Sequence, residues 1–185
     1  PNDKAIQDYI NCLEKVYEYS DYIAINISSP NTLALRDLSS STYFNSLLKE
    51  IKQTSSSLSS LYGYKPIFIK ISPDESFEDL KLICNSILEN NIDGIICSNT
   101  TINHQSEKGP GGLSGLPLKE LSSQSLKTIK ELTGNKLIII ASGGVMSVAD
   151  YCEKISKGAD LVQIYTGFIY DGPKLISDIL ETDLS

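Results

Sequence analysis

The sequence predicts an α/β fold in which a parallel β-sheet is covered by helices. Five short apolar runs, rich in β-branched residues, alternate with amphipathic segments that have the 3.6-residue period of a helix. The apolar runs are nearly continuous, which is typical of strands that are buried on both faces. Strict alternation of strands and helices indicates a parallel sheet with helices packed on it.

The first predicted unit is a helix over residues 4–19 followed by a strand over residues 22–27. The apolar positions of this helix are Ile6, Tyr9, Ile10, Leu13, Val16 and Tyr17. The strand leads into residues 26–32, a cluster of amides and hydroxyls with the composition of a loop. A second helix is predicted from Phe44, Leu47, Leu48 and Ile51. The Ser-rich segment 54–60 then predicts an exposed helix end or a loop.

The second strand is predicted over residues 66–73 and contains a lysine, Lys70. The helix after it has one apolar face, made by Leu80, Ile83, Cys84, Ile87 and Leu88. The third strand, residues 94–97, ends in the polar run Ser98-Asn99-Thr100-Thr101. A glycine-rich loop over residues 108–115 follows.

The next helix is predicted from about residue 118 to 132, and the fourth strand over residues 137–141. Ser147 has the chemistry of an N-cap for the helix that follows. The inward positions predicted for that helix are Val148, Tyr151, Cys152 and Ile155. The fifth strand is residues 161–165, and Pro173 suits the first position of a last helix. That helix has apolar side chains at Leu175, Ile176, Ile179 and Leu180.

Five β–α units suit either an open doubly wound sheet or part of a (β/α)8 TIM barrel, which typically needs about 250 residues. Two features favour the barrel. Every predicted strand ends in a polar or glycine-rich loop, whereas a doubly wound sheet concentrates its site at one switch point. The last two strands end in Gly143-Gly144 and Thr166-Gly167, as expected of the phosphate site of a barrel. We therefore interpret residues 1–185 as the C-terminal portion of a single barrel domain that covers about strands four to eight, with the first three strands missing.

The composition excludes several classes of function. Hydrophobic residues make up 41% and charged residues 21% of the chain, which is typical of soluble globular proteins. The net charge of -7 argues against binding to the phosphate backbone of nucleic acids. No apolar run approaches the length of a membrane span. Pro1 is not an initiator residue, so a targeting or anchoring segment upstream lies outside this sequence.

The cysteines and the histidine argue against a metal site. The four cysteines, at positions 12, 84, 97 and 152, form no Cys-x-x-Cys pair, and they are predicted to be buried structural thiols in a reducing compartment. His104 is the only histidine, which leaves little for a histidine-based metal site or a Ser-His dyad.

Lys70 is the first candidate for chemistry, because a lysine inside a predicted buried strand needs a compensating partner. Its neighbours Ile69 and Ile71 are apolar, so strand alternation directs Lys70 to the opposite face, towards the interior of a barrel. A cofactor or substrate oxyanion would compensate it there. The alternative is that Lys70 extends to solvent or to a carboxylate such as Asp74.

Amides and glycines at the other strand ends suggest a shared ligand. Asn26, Asn31 and Asn99 would converge with Thr100 at one barrel mouth, and carboxamides suit a flat heterocycle with alternating N–H and C=O groups. Backbone N–H groups of the glycine-rich loop, which contains Ser114 and Gly115, could meet an anion or a ring edge, although a plain mobile loop is an equal alternative. With no carboxylate pair or histidine at the predicted strand ends, a redox cofactor that brings its own chemistry suits the site better than acid–base hydrolysis.

These motifs, taken in order, resemble those of the dihydroorotate dehydrogenases. They are residues 26–32, Ile69-Lys70-Ile71, residues 98–101, Gly111-Gly112-Leu113-Ser114-Gly115, Gly143-Gly144 and Gln163-Ile164-Tyr165-Thr166. The resemblance runs from about residue 4 to about residue 180, and the serine of Ser-Pro-Asn resembles the class 2, quinone-dependent enzymes. It implies an FMN-bearing barrel that oxidises dihydroorotate to orotate in pyrimidine synthesis and passes electrons to a membrane quinone.

The resemblance also implies roles for individual residues. Ser29 would be the base that removes the C5 proton of dihydroorotate, helped by Thr32 or a water relay, while the C6 hydride passes to the flavin. The pyrimidine ring would be held by Asn26, Asn31, Asn99 and Thr100. Lys70 would lie against the flavin and stabilise the charge that develops on reduction. The FMN contacts would be Asn26, Lys70, Ser98, Ser114, Gly115, Gly143, Gly144, Tyr165 and Thr166.

Parts of the family pattern have no counterpart in this sequence, namely the N-terminal helices that contact quinone and membrane, the first three strands and the last helix. We therefore expect a piece of this length to be inactive alone, and we expect the protein to work at the mitochondrial inner membrane or, in a bacterium, at the cytoplasmic membrane. Two alternatives stay open. One is a phosphate-binding barrel lyase or isomerase in which Lys70 forms a Schiff base, and the other is an inactive fragment of the flavoenzyme.

Overall fold

A computed structural model describes residues 5–28, 41–104 and 111–183 of the chain. It contains five strands that form one parallel sheet in the order β1-β2-β3-β4-β5. The strands are β1 Ile23–Asn26, β2 Ile67–Ile71, β3 Gly94–Cys97, β4 Ile138–Ser142 and β5 Leu161–Gln163. The helices are α1 Ala5–Val16, α2 Ser41–Tyr62, α3 Phe77–Glu89, α4 Lys119–Thr133, α5 Val148–Ser156, α6 Thr166–Asp171 and α7 Pro173–Asp183, with 3-10 turns at Tyr17–Tyr19 and Leu116–Leu118.

The strand order confirms the choice between the two predicted architectures. Each strand pairs in parallel with the next strand along the chain, and the order never reverses. A doubly wound sheet would reverse its order at a switch point, whereas a barrel keeps consecutive strands adjacent. The described part of the chain is therefore a five-stranded segment of a (β/α) barrel.

The two faces of the sheet differ in what covers them. Ile25, Ile69, Ile95 and Ile139 lie side by side in the register, and all four are buried in the main core against the helices. On the opposite face a smaller cluster consists of Phe68, Ile96 and Ile140. Lys70 pairs in register with Ile96, so it lies on this inner face, as strand alternation predicts.

Helix α5 is oriented differently from the prediction. Its buried residues are Asp150 and Lys154, whereas Cys152 and Ile155 are exposed. The polar face turns inwards because α4 presents polar partners to it: Lys119 forms an ion pair with Asp150 at 2.6 Å, and buried serines of α4 accept hydrogen bonds from Lys154. The apolar periodicity of this helix therefore predicted the wrong inward face.

The prediction for the cysteines also needs correction. Cys84 and Cys97 are buried, but Cys12 and Cys152 are exposed. Of the two alternatives for the Ser-rich segment 54–60, the helix end is confirmed, since its hydroxyls donate to carbonyls three or four residues back, as Ser56 does to Lys52 at 2.8 Å. The predicted helix from Pro173 is present, and Leu175 and Ile179 are the buried residues among its four apolar positions.

Candidate active site

The carboxyl ends of β2 to β5 open into one cleft of about 520 Å³. This volume is in the range of small-molecule sites, which is roughly 300–1,000 Å³. The cleft is lined by Tyr22, Lys70, Ser98, Asn99, Thr100, Ser114, Gly115, Leu118, Ser142, Gly143, Gly144, Val145, Gln163, Ile164, Tyr165 and Thr166. It lies at the end of the strands where barrel enzymes have their active sites.

Most of the residues predicted for the site line this cleft. They are Lys70, Ser98, Asn99, Thr100, Ser114, Gly115, Gly143, Gly144, Tyr165 and Thr166. Asn26 is not among the lining residues, but its side chain lies next to that of Asn99. The predicted base Ser29, its predicted helper Thr32 and the predicted ring contact Asn31 lie outside the described residues. The structure thus brings the described residues together, and their individual roles stay predictions.

Backbone hydrogen bonds align the polar end of β3 with its neighbours. The Ser98 N–H donates to the Ser142 carbonyl at 2.9 Å, and the Asn99 N–H donates to the Ile71 carbonyl at 2.8 Å. The end of β3 is thereby tied to β4 on one side and to β2 on the other. Ser98 and Asn99 consequently have a defined place between Lys70 and the glycines after β4.

The Asn99 carboxamide links the ends of β1 and β3. Its Nδ2 lies 3.4 Å from Asn26 Oδ1, 3.2 Å from the Ser28 carbonyl and 3.2 Å from Ser28 Oγ. Its Oδ1 accepts the Thr100 N–H at 2.9 Å. Because both ends of the amide have partners, the Asn99 side chain is held in one orientation at the edge of the cleft.

Ser28 is a site residue that the sequence reasoning did not single out. It is buried, and its Oγ lies 3.0 Å from the Lys70 carbonyl and 3.1 Å from Asn26 Oδ1, so it can donate to either oxygen. It also accepts from Asn99. A serine inside a Ser-Ser pair gives no sign in sequence that it connects three strand ends.

Lys70 has a half-buried ammonium at the wall of the cleft. Burial lowers the pKa of Lys70 below its ordinary value of 10.5. The Lys70 ammonium has no hydrogen bond or ion pair within residues 5–28, 41–104 and 111–183. Asp74, the alternative partner, accepts hydrogen bonds from the Thr101 hydroxyl and from the Ile102 N–H at 3.0 Å. Lys70 is therefore positioned to meet an anionic or electron-accepting group in the cleft.

Gly115, Gly143 and Gly144, together called the glycine cradle, form the far side of the cleft. Gly144 has a φ of 76°, and a Cβ on it would lie 2.2 Å from the Lys119 Cα. Gly115 has a φ of 75°, and a Cβ there would lie 2.9 Å from the Thr166 Cγ2. The Thr166 hydroxyl donates to Ser114 Oγ at 3.0 Å, which joins the glycine-rich loop to the start of α6. Without side chains, these glycines pack closely against α4 and α6 while their backbone lines the cleft. A glycine-lined wall of this kind suits a phosphate or another anion.

The glycine-rich loop is held at both of its described ends. Thr101 and Leu113 form an antiparallel bridge, with N–H···O distances of 3.2 and 2.8 Å. The His104 Nε2 donates to the Gly111 carbonyl at 3.0 Å. Residues 105–110 lie outside the description. The bridge fixes where Ser114 and Gly115 enter the cleft.

Tyr22 is a second residue that the motifs missed. Its ring packs edge-on against Phe68 with ring centroids 5.8 Å apart, and its hydroxyl accepts from Gln163 Nε2 at 3.1 Å. Tyr22 precedes β1 and Gln163 ends β5, so this contact spans the inner face from the first strand to the last. No local sequence pattern indicates the contact between Tyr22 and Gln163, because this contact depends on the curvature of the sheet.

Metal-ligand clusters and membrane-spanning helices are both absent from the described ranges. No group of three His, Cys, Asp or Glu side chains there could hold a metal ion. None of the helices in the described ranges combines the length and the apolar character that a membrane span needs.

Comparisons with known proteins agree on one family. The family described as "Dihydroorotate dehydrogenase" matches residues 2–183. The chain is 45% identical over 188 residues to "Dihydroorotate dehydrogenase (quinone)" of Vibrio parahaemolyticus, and the match covers 98% of the chain and 56% of that relative. A protein of the same description from Buchnera aphidicola is 45% identical over 185 residues, covering 96% of the chain and 55% of the relative.

Solved structures agree with these relatives. The crystal structure of an Eimeria tenella DHODH in complex with ferulenol superposes with a TM-score of 0.88 at 32% identity, covering 95% of this chain and 53% of that one. A ligand-free form from the same organism gives a TM-score of 0.87. The chain thus spans about half the length of the proteins it matches.

Proposed function

The chain belongs to the dihydroorotate dehydrogenase family, and on that premise we propose that it provides the flavin- and substrate-binding part of an FMN-dependent enzyme that oxidises dihydroorotate to orotate. We propose further that a membrane quinone is the electron acceptor and that the reaction serves pyrimidine synthesis. Residues 1–185 would then be the C-terminal portion of one barrel domain.

One observation carries the proposal. Four strand ends bring an ammonium, a carboxamide, hydroxyls and a glycine cradle into the same cleft, as Lys70, Asn99, Ser98 and Gly144 illustrate. A flavin mononucleotide needs hydrogen-bonding partners for its ring and N–H groups for its phosphate. Lys70 on β2, Ser98 and Asn99 after β3 and Gly144 after β4 line the cleft and could provide them.

The residues fit FMN physically. Gly144 and Gly115 line the cleft without a side chain, so a phosphate could approach their backbone, and Thr166 adds a hydroxyl to the same wall. Lys70 contributes a desolvated ammonium that has no partner among the described residues. When bound, FMN supplies two-electron redox chemistry and lets the protein contribute mainly orientation and electrostatics.

Different residues of the chain would have different roles in the oxidation. Lys70 would stabilise negative charge on the flavin ring, since an ammonium in a partly desolvated wall acts more strongly than one in water. Asn26, Asn31, Asn99 and Thr100 would hold the pyrimidine. Ser29 would remove the C5 proton, and a serine hydroxyl needs assistance for this because it is a weak base.

The membrane part of the proposal is supported by the names of the relatives, which specify quinone. Quinone is dissolved in membranes, so we propose a protein that works at a membrane surface. Those two relatives are bacterial, for which the membrane would be the cytoplasmic one, whereas the mitochondrial inner membrane would apply to a eukaryotic source.

Flavin content tests the proposal directly. We expect the purified full-length protein to carry FMN, identified by its visible absorbance and by chromatography after denaturation, and we expect dihydroorotate to bleach that absorbance in the absence of oxygen. Ser29→Ala should retain FMN but lose the bleaching. A protein that neither carries nor takes up FMN contradicts the proposal, and a borohydride-trapped adduct on Lys70 would favour the Schiff-base alternative.

A further inference from the structure

Lys154 is a buried lysine with no place in the function described so far. It lies on α5 and is 1% exposed. Its ammonium donates to Ser122 Oγ at 2.6 Å and to Ser123 Oγ at 2.9 Å, and it lies 3.4 Å from the Lys119 carbonyl. Burying a cation among neutral oxygens is costly, so an arrangement of this kind calls for an explanation.

The hydroxyl of Ser122 connects this lysine to the glycine cradle. Ser122 is fully buried on α4, and its Oγ lies 2.8 Å from the Gly143 carbonyl and 3.0 Å from the Lys119 carbonyl. A hydroxyl has one proton to donate and can accept from Lys154 at the same time. The Gly143 carbonyl is the shorter of the two contacts, and donation to it gives a chain of hydrogen bonds from Lys154 through Ser122 to Gly143.

The orientation of one peptide plane follows from this contact. The peptide between Gly143 and Gly144 is trans, so the Gly143 C=O and the Gly144 N–H point in opposite directions. The carbonyl points at Ser122, away from the cleft that both glycines line. The Gly144 N–H therefore points towards the cleft, and it has no hydrogen bond to any residue in the described ranges.

We propose that Lys154 and Ser122 are positioning residues that aim the Gly144 N–H at the phosphate end of the cleft. This rests on the proposed FMN function, since the phosphate of FMN is the anion that the N–H would meet. Neither side chain touches the ligand. They act by holding the Gly143 carbonyl turned back into the protein, which two glycines with positive φ could not ensure alone.

A lysine suits this task because a charged donor makes a stronger bond than a neutral one and polarises the hydroxyl it contacts. The adjacent carboxylate, Glu153, forms ion pairs with Lys119 at 3.0 Å and with Lys157 at 2.7 Å rather than with Lys154. The charge of Lys154 thus remains available behind the cradle, on the side from which it attracts a phosphate.

The charge of Lys154 is also sensitive to pH. Burial lowers the pKa of Lys154 from 10.5 to about 8, with Cys97 and Glu153 opposing the shift and Lys157 and Lys119 adding to it. As the pH rises through about 8, the network loses its charged donor, and FMN affinity should fall with it.

Paired serine variants give the test. Both Ser122 and Ser123 are buried and accept from Lys154, but only Ser122 contacts the Gly143 carbonyl, whereas Ser123 donates to Glu153 at 3.1 Å. Flavin-free protein is titrated with FMN and with riboflavin, which lacks the phosphate. We expect Ser122→Ala and Lys154→Met to weaken FMN binding about tenfold and to leave riboflavin binding within about twofold. Ser123→Ala should leave both unchanged.

The outcomes are distinguishable. If the unmodified protein binds neither flavin, the proposed function fails, whereas equal FMN affinity in Ser122→Ala and the unmodified protein overturns only the positioning role. Equal weakening of FMN and riboflavin binding also overturns it, because a general loss of structure would do that. Should Lys154→Met fail to fold, as judged by circular dichroism, Ser122→Ala decides by itself, since it removes the contact with the Gly143 carbonyl and leaves Lys154 in place.

Discussion

Replacing Gly144 by alanine should damage both the fold and the phosphate end of the cleft. Gly144 has a φ of 76°, and its added Cβ would lie 2.2 Å from the Lys119 Cα, 2.6 Å from its Cβ and 2.7 Å from its amide nitrogen. Two of these three atoms belong to the backbone of α4, which cannot move aside as a flexible side chain can. The loop must therefore shift.

Gly134 offers a matched control for this change. It also has a positive φ, 59°, but a Cβ built on it meets nothing within 4 Å. Both alanines incur backbone strain at a positive φ, which is about 1–3 kcal/mol. Only the one at position 144 adds overpacking, typically about 1–3 kcal/mol. We therefore expect Gly144→Ala to lower the free energy of unfolding by about 2–6 kcal/mol and Gly134→Ala by about 1–3 kcal/mol.

Urea unfolding followed by circular dichroism measures the two free energies, and titration with FMN measures the ligand site. We expect Gly144→Ala to bind FMN at least tenfold more weakly, since the N–H that faces the cleft moves with the loop, while Gly134→Ala binds normally. The reasoning is refuted if the two variants lose equal stability, or if Gly144→Ala retains the affinity of the unmodified protein.

Three further changes test other parts of the structure. Lys70→Met should retain FMN but slow flavin reduction by dihydroorotate about 10²–10³-fold in stopped-flow measurements. Because burial lowers the pKa of Lys70, the free energy of unfolding of the unmodified protein should rise with pH up to about 10.5. This rise should be smaller in the variant. Tyr9→Phe removes a 2.7 Å hydrogen bond to the Asn26 carbonyl and should cost about 0.5–1.5 kcal/mol in urea unfolding at pH 7. With the pKa of Tyr9 raised to about 12 by burial, that contribution should persist below pH 10 and disappear as the pH passes 12, and a variant as stable as the parent would contradict it. Hydrogen bonds from two lysines lower the pKa of Glu153 to about 2, so part of the stability should be lost between pH 4.5 and 2, and Glu153→Gln should flatten this part of an acid-unfolding profile.

The sheet could be predicted because its pattern is local. Strands such as Ile67–Ile71 are short, nearly continuous apolar runs, and helices such as Phe77–Glu89 have apolar side chains at helical spacing. The strand order 1-2-3-4-5 then follows from the tendency of consecutive parallel strands to be neighbours. Most of the candidate site followed as well, because polar residues after parallel strands must meet at one edge of the sheet.

The prediction for α5 failed for a physical reason. Apolar periodicity assumes that the inward face of a helix meets an apolar surface, but the partner of Asp150 and Lys154 is a polar surface of α4 with Lys119, Ser122 and Ser123. A charged side chain can be buried when such partners are present. Their presence depends on how two helices separated by β4 pack together, which no local window of sequence contains.

The sequence by itself therefore determined the class of the fold, the strands and the set of polar residues at their ends, because these depend on periodicity and on the direction of parallel strands. Only the tertiary structure decided that Ser28 joins three strand ends, that Tyr22 reaches Gln163 across the sheet and that Lys154 lies beneath the glycine cradle. These contacts join residues 32 to 141 positions apart. They arise from the curvature of the sheet and the packing of its helices, so they are properties of the assembled fold and not of any single segment.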